Sequence, residues 1–105
     1  MDPSFHNDVV DLVHRAIGFM DELMREKIDL PVYADRLKSL EADRLLEAYQ
    51  KDFKADAELV YYLDALMIIS SLQHELDYQV AVYGANVASE DIKMLKDLLP
   101  KLNCK

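Results

Sequence analysis

The side chains that could act as nucleophile, base or ligand in this 105-residue chain are few: three histidines, one cysteine and no threonine. A nucleophilic hydroxyl needs a base within hydrogen-bond reach and an oxyanion site, often built from a glycine-rich loop or strained turn. The nearest approach is Ser70 and Ser71 followed by His74, and both glycines, Gly18 and Gly84, are isolated. These residues read as ordinary helix positions, and no phosphate-binding loop is present. Di-metal helical bundles take carboxylates and paired Glu-x-x-His motifs from facing helices. Here there is only Asp11-Leu12-Val13-His14 and a reversed His74-Glu75-Leu76-Asp77. Cys104 has only Lys101 and Lys105 near it to lower its pKa. The expectation is therefore no catalytic residue, no metal and no cofactor.

Acidic residues carry more information. Asp64 is flanked at helical spacing by Val60, Tyr61, Met67 and Ile68, which predicts a buried carboxylate in need of a partner such as Arg15, Arg36, Arg44 or a tyrosine hydroxyl. No Lys or Arg falls between Lys54 and Lys93, whereas Asp56, Glu58, Asp64, Glu75, Asp77, Glu90 and Asp91 do. A turn after Gly84 would bring Glu90 and Asp91 towards Glu75 and Asp77, with Tyr78 and Tyr83 supplying rigid amphipathic contact area. Glu75, Asp77, Tyr78, Tyr83, Glu90 and Asp91 are thus the expected partner-binding surface.

The net charge of −8 sets the kind of partner. Nucleic-acid binding depends on cations neutralising phosphates, and an anionic lipid surface repels the same charge, so neither is expected. A basic protein is favoured, because opposite charge steers association. Competing readings are a homodimeric structural or assembly protein without catalytic activity, and a small enzyme using Asp64 and His74. With 51% hydrophobic and 30% charged residues the chain is too apolar for disorder, and it has no uninterrupted apolar span of bilayer length. The acidic start, Met1-Asp2-Pro3, does not resemble a secretion signal, and a lone cysteine allows no internal disulfide. A cytoplasmic location is expected.

The elements that must position these residues are helices. Val10, Val13, Ile17, Met20 and Met24 recur three and four apart and predict a helix over 5–26, with Gly18 marking a close helix crossing. A second helix begins at Pro31. Its stripe of Tyr33, Leu37 and Leu40 does not run smoothly into Leu45, Leu46, Tyr49 and Phe53, so one bent helix or two remain open. Asp56 is the expected N-cap of a long apolar central helix ending at Gly84, surrounded by the others. Ser89 then caps a last helix that Pro100 ends. Without period-two alternation or a linker, the chain reads as one all-α domain over 1–105, a bundle of four to five helices.

The run Phe19-Met20-Asp21-Glu22-Leu23, followed by Lys27-Ile28, Tyr33 and Leu37, resembles the opening of the small helical immunity proteins that neutralise colicin D-type ribonuclease toxins. It covers about twenty residues of helix periodicity and a short loop. The resemblance implies an acidic bundle that binds a basic nuclease and blocks its active site, an immunity or antitoxin role. It assigns no individual binding residue, and the longer apolar central helix departs from that pattern.

Overall fold

A computed structural model describes residues 3–55, 59–86 and 89–103, and among them every regular element is helical. The three-and-four spacing of Val9, Val13, Ala16, Met20 and Leu23 winds the first helix, α1 (Pro3–Met24), and buries that face. It closes through a Schellman arrangement, in which the Lys27 amide donates to the Glu22 carbonyl at 2.9 Å and the Glu26 amide to that of Leu23 at 3.1 Å. Glu26 carries the left-handed conformation, with φ of 60°, where glycine is the usual residue.

Asp29 caps α2 (Leu30–Lys38) by accepting from the Val32 amide at 3.0 Å, with Pro31 in the first turn, where its missing N–H costs nothing. The chain then breaks at 39–41, which resolves the open segment into separate helices: α3 (Ala42–Ala48) and, after Tyr49, α4 (Gln50–Ala55). Counted with α4 as a continuation of α3, the bundle has five helices. Arg36 fastens α2 to α1, pairing with Glu22 while its guanidinium lies 5.7 Å from the centre of the Phe19 ring. Gln73 of α5 (Val60–Tyr83) donates to the carbonyls of Leu37 and Leu40, adding a side-chain bond to two acceptors that already take backbone bonds from Leu40 and Ala42 in the turn after α2.

His6, near the start of α1, bonds the Tyr62 hydroxyl at 2.5 Å, and Tyr62, near the start of α5, donates to the Leu102 carbonyl at 3.0 Å. That hydroxyl has one proton to give, so His6 must offer its Nδ1–H. The chain of bonds places the beginnings of α1 and α5 at the same end of the bundle, where α6 (Ser89–Asn103) finishes. α6 therefore runs antiparallel to both. The turn between α5 and α6 begins at Gly84, whose φ of 58° suits a helix terminus, and continues as a short 3-10 segment, Gly84–Asn86.

Three expectations are corrected. Pro100 does not end α6, which continues for one more turn. Proline deletes a single helical bond there, and the fully buried Leu102, with its carbonyl bonded to Tyr62, holds the turn in place. Gly18 marks no close crossing, since a Cβ there would meet nothing within 4 Å. The third correction concerns α5. It packs against α1, α2, α3 and α6, burying Tyr62, Ala65, Leu66, Ile69, Leu72 and Leu76, but it is not enclosed. Val60, Tyr61, Met67, Tyr78 and Val82 are exposed on its opposite side. The expected N-cap, Asp56, and the tail thiol, Cys104, lie outside the described residues.

These details set stability in opposite directions. Glu26→Gly should relieve left-handed strain and Gly18→Ala should improve helix propensity without a clash, each stabilising by about 0.5–1 kcal/mol. Leu66→Ala, at a fully buried position, should cost about 2–5 kcal/mol, with half-buried Leu63→Ala costing distinctly less. Urea unfolding midpoints check all four; equal losses at Leu63 and Leu66 would contradict the one-sided burial of α5.

Candidate functional site

The outward face of α5 and the adjacent side of α6 form a groove of about 620 Å³. Asp64, Ile68, Ser71, Leu72, Glu75 and Gln79 recur at three, four and one, which is one helix face, and supply one wall with part of the floor. Asp91, Met94, Asp97 and Leu98 supply the other. Leu72 and Leu98 are buried and form the base, whereas Met67 and Met94 are exposed by 52% and 48% at the rim. Among the described residues, four carboxylates line this groove and no Lys or Arg does. Near the start of α5, the Lys101 ammonium lies 4.9 Å from the centre of the Tyr61 ring.

Asp91 sits deepest of the acids. Burial pushes its carboxyl above the ordinary value of 3.8, and the neighbouring Glu90 adds to the effect. On its inner side is Tyr33 of α2, fully buried, whose hydroxyl is raised first by burial and then by the charge of Asp91. The Tyr33 hydroxyl and the Gln79 Oε1 are the buried side-chain polar atoms without a hydrogen-bond partner among the described residues.

The expected surface is brought together only in part. Glu75 on α5 and Asp91 on α6 both line the groove, and Glu90 is the exposed neighbour of Asp91. Asp77, two residues from Glu75 and so turned well round the helix, is exposed outside the groove lining. Tyr78 and Tyr83 are also exposed and stand outside it. Asp64 is corrected outright: it is exposed and lines the groove, because the apolar residues beside it are themselves on the unburied side of α5. Asp97, Met67 and Met94 were not singled out from the sequence. The Asp91, Met94, Leu98 spacing on α6 carried the signal.

The pair Asp64 and His74 does not share a cavity. His74 points towards α3, where its Nε2 lies 2.7 Å from Asp43 Oδ2, and Ser70 donates to the other oxygen of the same carboxylate. Both bonds, Ser70 first, hold the Asp43 carboxyl below its ordinary value. A serine nucleophile needs its proton directed at the imidazole. Here the carboxylate stands between them and accepts the serine's hydrogen bond, which makes a helix-to-helix tie and not a catalytic relay. Among the described residues no three His, Cys, Asp or Glu side chains come close enough to hold a metal ion, and no helix is long and apolar enough to cross a membrane.

No family model matches the chain, and no curated protein or solved structure is significantly similar to it.

The burial of Asp91 has a signed consequence for pH dependence. Its folded carboxyl holds a proton to higher pH than the unfolded one, so this group's contribution to stability falls as pH rises from about 3.8 through the raised folded value. Asp91→Asn should accordingly raise the melting temperature at neutral pH and leave it unchanged well below pH 3.8. Carboxyl-carbon NMR titration should show Asp91 above that value, still above it in Glu90→Gln, since burial is the larger cause.

Proposed function

We propose that this protein is a non-catalytic binding module for a basic protein, and that the α5–α6 groove with the neighbouring Glu90 is its contact surface. The observation that carries this reading is the groove lining: Asp64, Glu75, Asp91 and Asp97 over an apolar base, with no cation among them. Charge of one sign on both walls accelerates the approach of an oppositely charged partner, and the apolar base supplies the area that slows its release. Tyr78 and Tyr83, exposed by 72% and 57%, extend the contact beyond the groove. The sharpest form of the proposal is an immunity or antitoxin protein acting in the cytoplasm on a basic nuclease toxin, in line with the resemblance of the first helix and loop and with the net charge of −8.

A second reading has its own support. Val60, Met67, Tyr78 and Val82 form an exposed apolar ridge on α5, the kind of surface a homodimer would cover. Sedimentation over a hundredfold concentration range separates the two, because only self-association changes the mass of the isolated chain.

Affinity capture from the native host tests the leading reading. The wild-type chain should retain a protein of high isoelectric point whose association rate falls as salt is raised. The variant Asp64→Asn, Glu75→Gln, Asp91→Asn, Asp97→Asn should lose that retention while keeping its helical spectrum. Retention of an acidic partner, or of any partner equally by wild type and variant, would overturn the proposal.

A further inference from the structure

The groove between α5 and α6 is lined on one wall by residues from Asp64 to Gln79. At about 1.5 Å per residue those positions span about 22 Å, the length of four helical turns. Because α6 runs antiparallel to α5, Asp91 stands near the Gln79 end and Asp97 nearer the Asp64 end. Acids thus occur towards both ends, and the apolar contacts of Ile68, Leu72 and Leu98 lie between them.

The walls constrain the backbone of whatever lies there. Both are helices, whose interior N–H and C=O groups are already bonded along their own axes. An extended segment pressed onto this apolar base would find no sheet edge to receive its amide groups, and buried backbone left unbonded is costly. A helix carries its own bonds. It can lay an apolar stripe against Ile68, Leu72 and Leu98, between the flexible thioethers of Met67 and Met94, which adapt to varied side chains. Its lysines and arginines would then reach outward to the carboxylates on either side.

We propose that the groove receives an amphipathic helix of another protein, about four turns long, with an apolar stripe and basic flanks; this rests on the reading of the chain as a module for a basic protein. The bound helix lies alongside α5 and α6 and completes a three-helix layer. Charge complementarity selects it over a second copy of this chain, since each copy carries a net charge of −8.

Synthetic peptides of about 18 residues provide the test. One is built from leucine and lysine with leucine at three-and-four spacing; a second has the same composition with two central prolines; a third replaces every lysine by glutamate. Titrated into the isotope-labelled full chain at low salt, the first should shift Ile68, Leu72, Met94 and Leu98 resonances and become helical. Asp64→Asn with Asp97→Asn, both exposed positions, should weaken it about tenfold. The proline and glutamate peptides should bind at least tenfold more weakly. Equal binding of the proline peptide at the same residues would overturn the helical occupant while leaving the basic-partner reading intact. Equal binding of the glutamate peptide, or no binding of any peptide, would overturn both. If the groove resonances instead move with the concentration of the chain alone, a second copy covers the groove and the proposal falls.

Discussion

α5 has more apolar surface than its neighbours can cover, and much of the molecule follows from that imbalance. It is 24 residues long, and one side meets α1, α2, α3 and α6. α3 and α4, of seven and six residues, are too short to close over the rest. The uncovered side becomes a ridge with a recess along each flank, one against α6 and a second bordered by Leu46, Gln50, Lys54 and Leu63. Apolar residues left in water cost about 25 cal/mol per Å² of area that burial would have recovered. A small domain that keeps such a face gives up stability it could otherwise have had, which is the usual mark of a surface meant to be covered by something else.

The electrostatics sharpen that inference. The cations of the chain stand mostly on α1 to α4 and on α6, and several are engaged: Arg25 with Asp21, Arg36 with Glu22, Arg44 with Glu41. α5 has none. Its acids are therefore answered only by what neighbouring helices happen to bring, and α3 answers with another acid, Asp43, whose charge is met by Ser70 and His74. Among the described residues no Lys or Arg lines the groove side.

Helix periodicity made the architecture legible from the sequence, because the stripes on α1 and α6 are one-sided and Pro31 and Gly84 punctuate the chain where the helices turn. α5 resisted the same treatment. A helix apolar on every side gives no period from which to tell its inner face from its outer one, so Asp64 was read as buried when it marks the exposed side. Of the groove lining, Glu75 and Asp91 were legible in the sequence, because they lie sixteen residues apart and the predicted turn brings their helices together. Asp97 was hidden because its membership depends on which way α6 rotates against α5, a packing result that spacing alone does not determine. Pro100 misled for a related reason: the tertiary bond from Tyr62 outweighs a local preference to stop.

The tie from His6 through Tyr62 to Leu102 joins positions 56 and 40 residues apart. α1 makes its most extensive contacts with α6, so two helices at opposite ends of the described residues depend on each other for burial. Phe5 also packs against Tyr49 and Tyr62, with ring centroids 4.2 and 5.4 Å away, so its burial draws on the middle of the chain as well. Contacts this distant in sequence form only after a long loop has been closed, and a bundle fastened end to end in this way folds more slowly than one built from successive hairpins.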